Sequence, residues 1–439
     1  MDHCPVTNGS DILKKLKQRG YISQLTDPRL QEKLNEPVTL YAGFDPTAQS
    51  LHIGHLLQIM LLSWFQRYGH NPITLMGGAT AMIGDPSGKN TERNLLDEQT
   101  IAGNQDGSER QLRHFLDFDQ AQNKAELLNN ADWIGRFGFI EFLRDVGKHF
   151  RIGDMLGKES VRKRMESHTG LSFTEFSYQL LQSYDFLHLS REKNCRLQVG
   201  GDDQWGNITA GIELIRKLDS KPAYGLTTPL ITTTSGQKFG KTEAGTIWLD
   251  ADKTSPYEFY QYWIRTDDRD VISFLNLFTF LPEEQISELE NQLRDEPQKR
   301  EAQRVLADEV TRLVHGPEPL AAVQNASQVL FGKTIEGLSD RDLNEIFTDV
   351  PSTTFPLGGL TEGIDFIEAL CKTTLCQSRG EAKRQIKAGG IYLNNIRVNE
   401  DPPKLTQDSL ASESMVVLRS GKKNYHLLKF ENHADSSGA

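Results

Sequence analysis

The run Tyr41-Ala42-Gly43-Phe44-Asp45-Pro46-Thr47-Ala48-Gln49-Ser50-Leu51-His52-Ile53-Gly54-His55 decides the fold. A short strand-like stretch, Val38 to Tyr41, enters a turn broken by glycine and proline, and an apolar helix over 54–68 then opens on two histidines. Small residues and imidazoles thus gather at a helix N-terminus, where backbone N–H groups can face a nucleotide phosphate. His52 and His55 are three apart and share a helix face. An isolated pair of this kind also serves as ordinary structural histidines, so the glycines and Asp45 around it carry the argument.

Working outward, short apolar runs alternate with helical patterns as far as Leu249. Strands are expected at 71–78, 196–201 and 227–232, with a helix over 204–218 between the last two. Strand, crossover helix and strand again predict a parallel sheet covered by helices, with ligands at the carboxyl ends of the strands. The charged, helical stretch of about 90–167 interrupts this rhythm and reads as an insertion. Its aromatics at 137–142 suit either a core or a dimer contact. Residues 1–35 read as a helical extension, with a helix from Asp11 to Gly20, and 36–249 as a Rossmann-like α/β domain. Residues 250–349 form a helical domain, with helices starting at Asp267 and Pro282. A turn-rich linker at 350–363 leads to a small α+β module at 364–430, and 431–439 is a polar tail expected to be disordered.

Hydrophobic content of 37% with 25% charged residues describes a globular chain, and 439 residues suit two or three domains. No run reaches the roughly 18 apolar residues of a membrane span, and the first residues lack the basic flank and apolar core of a secretory signal. Cys4, Cys195, Cys371 and Cys376 are too scattered for a disulfide framework or a zinc knuckle, which points to free thiols in a reducing compartment. The net charge is −11, yet residues 361–430 carry 11 Lys/Arg against 8 Asp/Glu. Arg379, Lys383 and Lys387 recur every four residues, with Arg384 beside them. The stripe is either a solvated face or a surface for phosphates.

Three further segments carry candidate chemistry. Lys238-Phe239-Gly240-Lys241-Thr242 puts two lysines on a glycine-containing loop that can approach a polyphosphate. Gly84-Asp85-Pro86-Ser87-Gly88-Lys89, followed by Arg93, offers a carboxylate on a turn and two cations after it. On a helix, Tyr178, Gln182 and Asp185 fall at i, i+4 and i+7, so three polar groups share one stripe. If that face is buried, protein partners or a polar ligand must satisfy it; otherwise it is a solvated face.

Taken in order, the His52/His55 run, the Gly84–Lys89 turn, the Tyr178–Asp185 stripe, the Gly200–Asn207 loop and Lys238–Thr242 resemble the bacterial-type tyrosyl-tRNA synthetases of class I. The 364–430 module resembles the S4 RNA-binding domain. The Lys238 loop stands for the KMSKS motif, with Phe and Gly in place of Met and Ser. The resemblance covers about residues 36–430 and implies a tyrosine–tRNA ligase that forms tyrosyl-adenylate from L-tyrosine and ATP, then esterifies the 3′ end of tRNA(Tyr). By resemblance, His52, His55, Lys89, Arg93, Lys238, Lys241 and Thr242 stabilise the phosphates. Tyr41, Asp85, Tyr178, Gln182, Asp185 and Gln204 hold tyrosine, with Tyr41 and Asp185 on its hydroxyl. Gly43, Asp45, Gly54, Gly201, Asp203 and Lys241 bind ATP. Arg379, Lys383, Arg384 and Lys387 face tRNA. Asp202 is given no direct role. The same resemblance implies a cytoplasmic homodimer and magnesium accompanying ATP without a dedicated protein metal site. A tryptophanyl enzyme shares the fold, but an indole has no hydroxyl for Tyr41 and Asp185. A noncatalytic RNA scaffold is the reading from another class, and it predicts loss of the histidines or lysines.

Overall fold

The computed structural model describes residues 11–87, 96–119, 122–166, 170–234, 236, 239–242, 245–329, 335, 337–348, 350–399, 401–402, 404–421 and 424–431. Cys4, Lys89, Arg93, Lys238 and the tail after Glu431 lie outside them, as does the side chain of Thr242. The chain forms two compact units, one of residues up to Thr254 with Trp263–Val314, the other of Ser255–Tyr262 with His315 onward.

The first unit is built on a six-stranded sheet of β1 (Gln24–Leu25), β2 (Thr39–Phe44), β3 (Asn71–Met76), β4 (Glu126–Asn129), β5 (Cys195–Gly201) and β6 (Tyr224–Thr228), in the order β1-β6-β5-β2-β3-β4. All pairs are parallel except β1 with β6. The central strands are buried on both faces, which is why Thr39–Phe44 and Asn71–Met76 read as near-continuous apolar runs. The helix Ile53–Arg67 carries the chain from β2 to β3, and Phe173–Glu192 leads into β5.

Three expectations change in detail. The 90–167 stretch is not wholly helical: Glu126–Asn129 joins the sheet as β4. The N-terminal extension contributes β1 as well as the helix Ile12–Gln18. Its Arg19, 2% exposed, donates to the carbonyls of Asn276, Thr279 and Leu281, tying the extension to the end of the helix Asp268–Phe278. The third change falls in the linker. After the short hairpin β7 (Lys241–Thr242) and β8 (Gly245–Thr246), residues 352–356 form β9.

In the second unit β9 pairs in parallel with the last strand of a five-stranded sheet. The remaining strands are β10 (Ile391–Leu393), β11 (Ile396–Arg397), β12 (Met415–Ser420) and β13 (Asn424–Glu431), in the order β11-β10-β12-β13-β9. Their apolar faces close on Phe366, Leu370, Ala382 and Ile386 of two short helices. Helix Arg379–Lys387 is capped by Ser378 and buries Ala382 and Ile386, leaving Arg379, Lys383, Arg384 and Lys387 exposed.

One close approach seats the opening motif. The helix Glu98–Leu112 passes the turn after β2 at Gly107, where a Cβ would lie 2.0 Å from the carbonyl oxygen of Gln49. Asn104, one turn earlier, donates to the Pro46 carbonyl at 3.0 Å, and Gln111 accepts from the Leu51 backbone at 2.8 Å. Only glycine at 107 allows those two side chains to hold the turn from one helix.

Candidate active site

The carboxyl ends of β2, β3 and β5 open into a cleft of ≈ 660 Å³. At one end, His52 caps the helix Ile53–Arg67: its Nδ1 accepts from the Gly54 amide at 3.0 Å, and His55 Nδ1 accepts from the His52 amide at 3.2 Å. Accepting at Nδ1 fixes the proton of each neutral ring on Nε2. The two rings stack at 3.9 Å, so this end presents paired N–H donors at a helix N-terminus. A Cβ on Gly54 would lie 2.8 Å from His52 Nδ1, so only glycine leaves room for this cap.

The Lys241 loop is drawn to the same end by backbone contacts. Ile53 donates to the Ile247 carbonyl at 3.1 Å and Leu249 to the Leu51 carbonyl at 2.9 Å, while the Ile247 amide bonds the Gly240 carbonyl at 3.1 Å. Gly240 adopts φ +79°, and a Cβ there would lie 2.9 Å from Ile53. Phe239 anchors the loop by stacking on Phe278 at 5.2 Å. Lys241 is exposed at the start of β7.

At the other end lies the polar stripe of the helix Phe173–Glu192. Tyr178 and Asp185 are 6% and 2% exposed, which removes the solvated-face alternative. The Tyr178 hydroxyl donates to Asp45 at 2.8 Å, and Thr80 donates to the other oxygen of Asp45 at 2.8 Å. Asp185 accepts from Trp133 Nε1 at 2.7 Å and from Asn130 Nδ2 at 3.0 Å. Burial pushes its carboxyl up to about 7; the two donors pull it down, and the charge of Asp45 adds to the rise. Tyr41, 1% exposed, has no hydrogen-bond partner for its hydroxyl among the described residues; burial first, then the Asp185 charge, holds that phenol well above its ordinary value.

Between the ends, Gln204 donates to Asp85 at 2.7 Å, and Gln182 donates to Gln204 at 3.2 Å. Asp203 lines the cleft, its carboxyl raised by burial and by the charge of Asp85. Asp202 points away, accepting from Ser23, Gln24 and Thr227 at the sheet edge. Gly43 and Gly201 also line the cleft.

The structure thus brings together Tyr41, Gly43, Asp45, His52, Gly54, His55, Asp85, Tyr178, Gln182, Asp185, Gly201, Asp203 and Gln204. The four basic residues of Arg379–Lys387 belong to the other unit. Asn130, Trp133 and Thr80 were silent in the sequence; the Asn129-Asn130 pair gains meaning only once β4 is recognised as a strand ending at the cleft. Among the described residues no group of three or more His, Cys, Asp or Glu is arranged to hold a metal ion. Asp45 and Asp85 each accept from protein donors on both oxygens.

Donors for phosphate at one end and buried partners for a hydroxyl at the other suit the joining of an amino acid to a nucleotide. The model for "tRNA synthetases class I (W and Y)" matches residues 32–332, and that for the "Tyrosine--tRNA ligase SYY-like C-terminal domain" matches 342–428. The chain is therefore a class I tRNA synthetase. Tyrosine–tRNA ligase of Rhodopirellula baltica is 51% identical over 426 residues, covering 96% of this chain and 97% of that one; the enzyme of Geobacillus stearothermophilus is 51% identical over 423 residues, covering 96% and 100%. A truncated mitochondrial tyrosyl-tRNA synthetase of Aspergillus nidulans superposes with TM-score 0.66 at 34% identity, covering 74% of this chain and 95% of its own. Within class I the chain belongs to the tyrosyl-tRNA synthetases: it activates tyrosine with ATP and transfers it to tRNA(Tyr).

The Asp185 carboxyl gives a stability test. Its folded value, about 7, lies above the ordinary 3.8, so between these values the folded state holds the extra proton. Stability therefore falls as pH rises from about 4 to 7 through this group. Urea unfolding of the ligand-free protein at several pH values should show that slope, and Asp185→Asn should flatten it; an unchanged slope would refute the burial argument.

Proposed function

We propose that Tyr41 and Asp185 recognise the tyrosine hydroxyl while Asp85, Tyr178 and Gln182 receive its ammonium group. The observation that carries this is the buried Tyr41 hydroxyl, which has no hydrogen-bond partner among the described residues and lines the cleft beside Asp185. A phenol entering there supplies a partner to the Tyr41 hydroxyl and a further donor to Asp185, whereas phenylalanine supplies neither, a loss worth roughly 10⁴–10⁵ in selectivity. Gln204 then lies near the substrate carboxylate, and Gly201 and Asp203 near the ribose.

With tyrosine so seated, its carboxylate attacks the α-phosphorus of ATP and pyrophosphate leaves. A carboxylate nucleophile needs no strong base, so the protein contributes position and charge. His52 and His55 offer their Nε2 protons to the phosphates, and Lys241 closes from the loop. Gly43, Asp45 and Gly54 shape the wall against the nucleotide. Lys89, Arg93, Lys238 and Thr242 complete this set by family resemblance. Magnesium accompanying ATP would neutralise phosphate charge.

Tyrosine alone, and neither phenylalanine nor tryptophan, should drive exchange of pyrophosphate into ATP without tRNA. Tyr41→Phe should weaken tyrosine use about tenfold, the size of one neutral hydrogen bond. Absence of tyrosine-dependent exchange in folded protein would sink this assignment.

The exposed stripe of Arg379, Lys383, Arg384 and Lys387 supports a contact with tRNA phosphates. Lys383→Glu with Lys387→Glu should raise the KM for tRNA about tenfold or more by removing phosphate neutralisation. Pyrophosphate exchange should stay unchanged; an equal fall in both activities would count against a tRNA-specific role.

Phe139, Ile140 and Ile152 are 67%, 73% and 67% exposed, apolar surface that supports a homodimer through the 90–167 region. Sedimentation velocity at micromolar concentration should show a dimer, and Ile140→Asp should shift it to monomer. A monomeric wild type would exclude this interface. The cytoplasm, where thiols stay reduced, is the compartment this reading implies.

A further inference from the structure

We infer that Asn207, outside the cleft, is a positioning residue that, together with Gln204, holds Gln182 with its Oε1 available to the substrate ammonium; this rests on the ammonium site proposed above. Asn207 occupies the first turn of the helix Trp205–Asp219 and is 6% exposed. Its Nδ2 donates to Gln182 Oε1 at 2.8 Å and to Gln204 Oε1 at 3.3 Å.

These bonds belong to a chain with one direction. Asp85, when ionised, only accepts, so Gln204 must turn its Nε2 toward it, as it does at 2.7 Å. Gln204 Oε1 then faces Gln182 and accepts from its Nε2 at 3.2 Å. Gln182 Oε1 is left for the Asn207 donor. Every donor in the series points toward Asp85, and Asn207 is the end that supplies protons without needing any from the series. The backbone amide of Ser87 holds the opposite end by donating to the other Asp85 oxygen at 2.9 Å.

An ammonium group has only donors and needs acceptors around it. Gln182 serves it through Oε1 and opposes it through Nε2. Rotation of the amide by half a turn exchanges the two; it would set Asn207 Nδ2 against Nε2 and Gln204 Oε1 against Oε1, so Asn207, at the shorter of the two bonds, holds the amide together with Gln204. No chemistry at the reacting atoms is involved: Asn207 acts through Gln182.

The test compares L-tyrosine with 3-(4-hydroxyphenyl)propionate, which keeps the phenol and carboxylate but lacks the ammonium group. Asn207→Leu should weaken L-tyrosine binding about tenfold and leave the propionate within twofold. Asn207→Ala should do the same if the larger side chain disturbs folding. In a Gln182→Ala background, adding Asn207→Leu should cost nothing further, because the pathway is already broken. Equal weakening of both ligands, or an undiminished tenfold loss in the Gln182→Ala background, would overturn the inference. Unchanged tyrosine affinity in Gln182→Ala alone would instead overturn the ammonium site on which it rests.

Discussion

A carboxylate kept from water and bonded only by neutral donors is the constraint on which the cleft depends. Asp185 sits 2% exposed, with Trp133 on one oxygen and Asn130 on the other. Leaving such a group without partners would cost several kcal/mol. Its partners therefore fix the neighbouring backbone. Trp133 and Asn130 follow the edge strand β4, so the edge of the sheet must stay paired with β3 for the carboxylate to stay satisfied. Asn130 also donates to Thr80 at 3.0 Å, and Thr80 donates onward to Asp45, which accepts from Tyr178. A single hydrogen-bonded path thus links both ends of the polar stripe through residues from three other segments.

The same logic separates the two substrates by charge. Asp85 and Asp185 line the cleft, and at the proposed amino-acid end they would repel anionic phosphates. Imidazole N–H donors and the helix start collect at the opposite end, with the Lys241 loop tied beside them through β8. The proposed binding geometry follows from this field: an ammonium would be drawn to one end and a polyphosphate to the other, leaving the carboxylate of the first facing the second.

How much of this could be read from the sequence depended on whether the signal was local. The strand, glycine turn and histidine-capped helix over 39–67 showed in residue order, because their partners are neighbours in the chain. So did the Tyr178, Gln182 and Asp185 stripe, which helical geometry alone aligns. The strand β4 was missed because its four residues are all only half-buried and begin with Glu126, so neither alternation nor an apolar run marks it. The strand β9 reads as linker in the sequence because its support comes from β13, more than seventy residues later. Asn130 and Thr80 give no signal, and Asn207 shows only as the end of the Gly200–Asn207 loop, for a different reason: amide and hydroxyl side chains are common, and their role lies wholly in which atom they present to a neighbour.

That dependence on direction explains why neutral side chains suit this site. A lysine or arginine beside Asp185 would hold its charge but also occupy the lone pairs that a phenol must reach, and would hold them more tightly than a phenol could. Two neutral donors take one lone pair from each oxygen and leave the rest accessible, at the cost of a carboxyl pushed up to about 7. Binding of a hydroxyl donor then favours the ionised form of Asp185. In the proposed site the substrate hydroxyl would thereby complete the hydrogen bonding of Tyr41 and Asp185, and phenylalanine, of nearly the same shape, could not.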